Sequence, residues 1–360
     1  MLKLIGRLLL FVPVLAGMMF VSWRVDPSGL FWGAGFERLA SEYMLQGMYI
    51  DGYERLDGRA LNEVYAKNVP QAPQILVNGS SRSMMIDTSF TTGDKTFYNA
   101  SNVGADIYDF FNSYYIFEKE NKTPEIFVMG IDAWLFNDGE ENLDKRSNKE
   151  MYYEFLGEEL GYENLEYEKP NPLEKYKALV DPSYFQGSVA YYFKDKSTEV
   201  QPEPVDIEKI YDQSEVIKAP DGSVIYDKKF RTRGQEHADH DAHTAANAIP
   251  ILRLGDYDVL SPTYTEQFEK FIEYLQEKGV RIIFFIPPYH PTVYDTAFYY
   301  YDTYHCLFEV EEYIRSLSEK YGIELYGSYN PRRLGLENTD FLDGLHLRQD
   351  SIRKILPVIG

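Results

Sequence analysis

Cysteine is almost missing from this 360-residue chain. Cys306 stands alone, so no internal disulfide can form and a zinc site built from thiolates is excluded. The redox compartment therefore cannot be read from cysteine. Cations are in short supply too: 36 Lys and Arg face 57 Asp and Glu, for a net charge of −21. Nucleic-acid binding needs clustered cations against phosphate, and so does a body that lies flat on anionic lipid; neither is expected. Walker, dinucleotide-binding and EF-hand patterns are absent, as is any internal repeat, and no cofactor is expected. Hydrophobic residues make up 44% of the chain, which is enough for a substantial core and argues against wholesale disorder.

The amino terminus carries an uncharged run, Leu8 to Trp23, preceded by Lys3 and Arg7 and followed by Arg24. It is a little shorter than the ~20 residues usual for a spanning helix, but the flanking arginines can snorkel and Trp23 suits the interface. Residues 1–24 are thus expected to be a membrane anchor, with positive charge inside and the acidic body outside the cytoplasm. A cleaved signal peptide is the alternative, although no clean A-x-A site follows; a buried helix is the third reading.

Beyond residue 72, strand and helix signals alternate. "PQILVNG", "PEIFVMGIDAWLF", "VRIIFFIPPY" and "IELYG" read as buried strands. "GADIYDFFNSYYIFEKEN", "SPTYTEQFEKFIEYLQEKG" and "LFEVEEYIRSLSEKYG" carry apolar residues at helical spacing. That order predicts an α/β fold: three α/β/α layers around a mainly parallel sheet with both faces covered. Residues 139–250 break the rhythm. They are rich in Glu, Tyr, Lys and Asp, contain a hairpin signal at "APDGSVIYD" with Asp221-Gly222 as the turn, and are expected to form a lid-like insertion within a domain spanning 25–360.

The first strand ends in "NGSSR". Ligands of open α/β sheets sit beyond the strands' carboxyl ends, so Ser80 and Ser81 are well placed to be nucleophiles. Gly79 is expected to permit a sharp turn, and a helix starting after Arg82 would aim its amides at a developing oxyanion. A capping serine explains the same stretch without chemistry. A serine nucleophile needs a base and the base an orienting group. Near the carboxyl end, Asp343 and His346 stand three apart on a loop, a spacing that lets one imidazole nitrogen meet the carboxylate while the other stays free. A capping Asp beside an unrelated surface His is the plainer alternative.

Four short blocks in order, Gly79-Ser80-Ser81, Asn99-Ala100-Ser101-Asn102-Val103-Gly104, Gly130-Ile131-Asp132 and Asp343-Gly344-Leu345-His346, resemble the SGNH (GDSL-type) hydrolase superfamily, whose fold is flavodoxin-like. The resemblance covers roughly residues 72–135 and 262–355. It implies Ser81 as nucleophile, His346 as general base and Asp343 as its orienter, with the N–H groups of Ser81 and Gly104 as oxyanion donors. Where the family has an asparagine as third donor this chain has Asp132, a carboxylate that would repel an oxyanion unless protonated, turned away or replaced by Asn102. Together with the anchor and the "VDPSGLF" juncture, the package is similar to the D-alanyl transfer protein of teichoic-acid modification and to exopolysaccharide O-acetyltransferase-like proteins. Acyl transfer onto a cell-surface teichoic acid or polysaccharide follows from that likeness, beside a membrane-bound O-acyltransferase as partner. Arg82 would pair with a phosphate or carboxylate of the polymer, or form a surface salt bridge. A carbohydrate esterase and a catalytically weak scaffold are the competing expectations.

Two further groups stand out. His237, His240 and His243 lie at three-residue steps in "EHADHDAH", where a helix would put them on one face; a solvated segment is expected over a metal site. His290 in "IPPYHPTVYD" follows a core strand, and a packed, proline-stiffened loop is expected there over substrate contact.

Overall fold

The computed structural model describes residues 11–26, 31, 35–93, 95–139, 143, 146–163, 165, 167, 171, 173–193, 201–248, 251, 254 and 257–360. Lys3, Arg7 and the first part of the apolar run lie outside the described residues, as does most of the "VDPSGLF" juncture. The strands are β1 (Tyr49–Ile50), β2 (Ile75–Asn78), β3 (Phe97–Asn99), β4 (Ile126–Gly130), β5 (Pro204–Val205), β6 (Ile217–Lys218), β7 (Val224–Ile225), β8 (Arg281–Ile286) and β9 (Glu324–Gly327). Five of them form a parallel sheet in the order β3-β2-β4-β8-β9. The chain runs outward from β2 to β3 on one side and resumes at β4 on the other, so the strand order reverses between β2 and β4. In open parallel sheets such a reversal opens a crevice at the strands' carboxyl ends.

Alternation within the strands gives the sheet two apolar faces. Leu76, Phe127, Met129, Phe284 and Ile286 share a core with the helices Gly58–Asn68, Ile107–Glu118, Lys149–Glu158, Pro262–Glu277 and Tyr301–Tyr321. The Pro262–Glu277 helix shows how locally this is encoded: the Ser261 hydroxyl accepts from the Tyr264 N–H, Pro262 occupies the first turn, and Phe268, Phe271, Ile272 and Leu275 are buried. Ile75, Val77, Ile126, Val128, Ile283 and Phe285 face the other way. Helices were expected there as well, but Met85, Ile86, Phe90, Leu336, Phe341, Leu347, Ile352 and Leu356 cover this face from turns and the five-residue helix Gln349–Arg353. Among its described residues the β2–β3 connection holds no α-helix. Asp87 caps a single 3-10 turn there, Thr88–Phe90, and apolar side chains seal the sheet without regular structure.

The 139–250 insertion does not stand off as one unit. Its Lys149–Glu158 helix joins the main core through Tyr152, Phe155 and Leu156. The Pro182–Phe193 helix packs on the Phe11–Val25 helix. The predicted hairpin forms as β6 and β7, and with β1 and β5 it makes a small antiparallel sheet. Gly222 adopts φ 80° in its turn, as the Asp-Gly signal requires. No helix among the described residues is long and apolar enough to cross a membrane.

Gly79 has a different purpose from the expected turn, because its φ is not positive. A Cβ there would lie 2.9 Å from Ser83 Cβ and 3.1 Å from Gly130 Cα, on the neighbouring strand end. The glycine lets β2 and β4 close on the Ser83 side chain. Gly79→Ala should lower the unfolding free energy by about 1–3 kcal/mol, as overpacking does; urea denaturation measures it, and an unchanged midpoint would show that the strand ends have room to spare.

Candidate active site

After β2 the chain does not enter the expected helix. It folds into successive tight turns, with the Ser83 N–H donating to the Ser80 carbonyl at 2.9 Å and the Ile86 N–H to the Ser83 carbonyl at 3.1 Å. These turns are laced to the end of β3: Asn99 Nδ2 donates to the carbonyls of Ser83 (2.9 Å) and Ile86 (2.8 Å), and the Asn102 N–H to that of Gly79 (3.0 Å). The two serines part company here. Ser80 is buried, and its Oγ accepts from the Arg82 N–H at 3.2 Å. Ser81 is half-buried, with its Oγ 2.9 Å from His346 Nε2.

His346 arrives on a loop closed at its base by Phe341 pairing with Leu347, and by the Leu342 N–H on the His346 carbonyl at 2.7 Å. Asp343 organises the turn: Oδ1 accepts the N–H groups of Leu345 and His346, both at 2.7 Å, while Oδ2 lies 2.9 Å from His346 Nδ1. Burial works to raise the Asp343 pKa, but the imidazole and these hydrogen bonds outweigh it and hold the carboxyl down at about 2. Ser81, His346 and Asp343 thus form one continuous chain. With the carboxylate on Nδ1, the proton of a neutral imidazole sits there and Nε2 is left to accept the Ser81 hydroxyl proton. The rings of Tyr226 and Phe230 stand edge-on to the imidazole, centroids 5.8 Å and 6.2 Å away, and the Tyr226 hydroxyl donates to the Ser81 carbonyl at 3.3 Å.

Arg82 and Asp132 require correction as substrate or oxyanion groups. Arg82 turns inward and is 2% exposed. Its Nη1 meets Asp132 Oδ1 at 2.8 Å, its Nη2 donates to the carbonyls of Pro287 and Pro288 (2.7 Å to the latter), and its Nε donates to that of Leu345 at 3.3 Å. The guanidinium also stacks 4.0 Å over the Tyr289 ring. Burial opposes its charge, yet the nearby tyrosines and the Asp132 carboxylate more than offset this and raise its pKa. Asp132 is therefore a counter-ion to Arg82, turned toward the guanidinium.

The remaining expected groups are distributed as follows. The Ser81 backbone N–H bonds no other described residue and is free to serve an oxyanion. Gly104 sits half-buried at φ 59°, in the loop tied to Gly79. Asn102 is buried, its Nδ2 on the Ala100 carbonyl at 3.2 Å and its Oδ1 toward Gly58, so it does not replace a lost donor. His290 is fully buried and caps the Pro291–Tyr299 helix through Nδ1, as expected of a packed loop; its N–H also donates to the Gly344 carbonyl at 3.1 Å. His237, His240 and His243 lie exposed on the Gln235–Asn247 helix. Among the described residues, the one cluster with metal-ligand spacing is His305, Cys306 and Glu309, but Cys306 Sγ and His305 Nε2 already meet the Tyr257 and Asp258 carbonyls. Sequence reasoning missed Tyr226 and Asn99. Neither carries a motif of its own, although Asn99 opens the quoted Asn-Ala-Ser block.

No protein-family model matches the chain, and no curated protein does.

Two outcomes test the site's physics. Arg82→Met strands the buried Asp132 carboxylate and should cost about 3–5 kcal/mol of stability, part of which the double variant Arg82→Met/Asp132→Leu recovers; equal losses in both would deny the ion pair its weight. Because the folded Asp343 pKa is depressed, its contribution to stability is complete above about pH 4 and fades as pH falls toward 2. Denaturation curves of wild type and Asp343→Asn should converge across that window, and a constant gap between them would contradict the assignment.

Proposed function

We propose that the chain is a serine-dependent acyltransferase in which Ser81 carries the acyl group. The observation that carries the reading is the Ser81–His346–Asp343 chain, with 2.9 Å at each link. Ser81 Oγ attacks the donor's acyl carbonyl while His346 Nε2 takes its proton; the same proton then goes to the departing group. In the second half an acceptor hydroxyl gives its proton to His346, attacks the acyl-serine, and Ser81 Oγ recovers the proton as it leaves. Asp343 holds Nδ1–H throughout and stabilises the imidazolium. The Ser81 N–H is an oxyanion donor in this scheme, and the superfamily likeness implies Gly104 as a second.

The finer reading assigns the acceptor to a hydroxyl of a cell-surface teichoic acid or polysaccharide, the donor to a membrane-bound O-acyltransferase, and the body to the extracytoplasmic side of the membrane. Its support is the superfamily likeness of the four motif blocks and a parallel sheet whose reversal of strand order falls beside Ser81. Tyr226 and Phe230, packed at the imidazole, favour transfer by restricting water. An esterase uses the same residues with water as the acceptor. The scaffold reading loses its main ground, because the carboxylate that argued for it answers Arg82.

Fluorophosphonate labelling of the full chain, together with acyl transfer from an activated ester to a polyol, tests the proposal. Ser81→Ala should abolish labelling and lower transfer by about a thousand-fold or more. Ser80→Ala, which removes one hydrogen bond to a backbone amide, should keep most of both. Labelling that persists in Ser81→Ala, or equal loss in the two variants, would refute it; water outcompeting every hydroxyl would favour the esterase.

A further inference from the structure

We propose that the Pro182–Phe193 helix is a second membrane-contacting element, which lies in lipid alongside the Phe11–Val25 helix. The two helices pack together and also touch the 3-10 segment Glu174–Val180. Their burial pattern is inverted relative to a water-soluble pair. The sole buried residue of the first helix is Ser22, and that of the second is Ser188. Outward they present Phe11, Val12, Val14, Leu15 and Phe20 from one helix and Tyr192 and Phe193 from the other, Phe193 being 79% exposed. In water, apolar side chains drive helices together and serines stay outside. In a bilayer the lipid tails are as apolar as leucine, so close packing of small residues joins the helices and large apolar side chains face outward.

The chemistry of the shared surface points to lipid as the occupant. A groove of about 670 Å³ runs between the helices, walled by Phe20, Val21, Val25, Val189, Tyr192 and Phe193, with Arg24 as the one charged residue among the described lining residues. In a chain of net charge −21, a wall whose described residues include no carboxylate is a local exception. Phe20 packs on Trp23, ring centroids 6.3 Å apart, beside Arg24. Aromatic and arginine side chains thus gather at one level, while the aliphatic residues Val12, Val14 and Leu15 lie further along the helix, an order that matches a bilayer's interface and interior. The polar end is fixed by the Tyr184 hydroxyl on Asp26 Oδ1 at 2.6 Å. At 1.5 Å per residue the 12-residue helix is roughly 18 Å long, too short to cross a hydrocarbon core of about 30 Å, so its contact is with one leaflet only.

The test uses the full chain in phosphatidylcholine nanodiscs, with a polarity-sensitive fluorophore on Phe193→Cys in a Cys306→Ser background. Val358→Cys, also exposed, is the comparison site beside the edge contact of Ile359 with Thr91. The label at position 193 should shift to the blue and lose intensity to doxyl-labelled lipid, while resisting aqueous iodide; the label at 358 should do the reverse. Equal iodide quenching at both positions would overturn the proposal. Shielding at 193 without any effect of doxyl lipid would overturn it too, in favour of a protein partner or a second copy. Circular dichroism matching wild type verifies folding, and none of these readings depends on the serine chemistry.

Discussion

One buried guanidinium holds the site's loops in register. Arg82 reaches Asp132 after β4, the Pro287 and Pro288 carbonyls after β8 and the Leu345 carbonyl in the histidine loop, while its own backbone belongs to the turn that carries Ser81. Only arginine offers several donors in a rigid planar fork that can serve carbonyls and a carboxylate at once. Desolvating that charge is costly, and the carboxylate and carbonyls offset the cost only in this arrangement. Ser81 and His346 therefore come from segments 265 residues apart, yet they share one anchor a single residue from each.

Parts of the insertion brace what Arg82 joins. The hairpin of β6 and β7 is bound to the end of β3 and to the turns after β2: the Asn99 N–H donates to the Asp221 carbonyl, and the Val224 N–H to that of Met84. Tyr226, just past the hairpin, holds the Ser81 carbonyl. The Gln235–Asn247 helix presses on the histidine loop, where a Cβ on Gly344 would come within 3.0 Å of the Ala245 methyl. A segment that looks like a lid in the sequence is in part a buttress. Rigid support of this kind holds Ser81, His346 and Asp343 at hydrogen-bonding distance.

The molecule also carries two opposite patterns of burial. Around the parallel sheet, apolar side chains turn inward and polar ones outward; in the pair of helices Phe11–Val25 and Pro182–Phe193 the order is reversed, with Ser22 and Ser188 inside. Acyl transfer at Ser81, as proposed, uses the strand ends, and the proposed lipid contact of the Pro182–Phe193 helix uses this inverted pair.

The sequence by itself determined the strands β2, β4, β8 and β9, the helices that follow the apolar periodicity, the Asp-Gly hairpin, and the short list of residues from which a triad could be drawn. Those features are local: a period of two or of 3.6 residues, a capping Ser-Pro, a turn needing positive φ. The short strand β3, the small second sheet and the irregular cover over one sheet face were not legible, because each depends on a distant partner and leaves no repeating pattern. The superfamily resemblance singled out Ser81 over Ser80; tertiary structure alone decided that it meets the imidazole, and that Arg82 and Asp132 satisfy each other inside the fold. The reason is directional. Composition and spacing report that a side chain is polar or apolar, whereas the partner it faces is set by strand order, which brings residues 50 to 265 positions apart to one edge of the sheet.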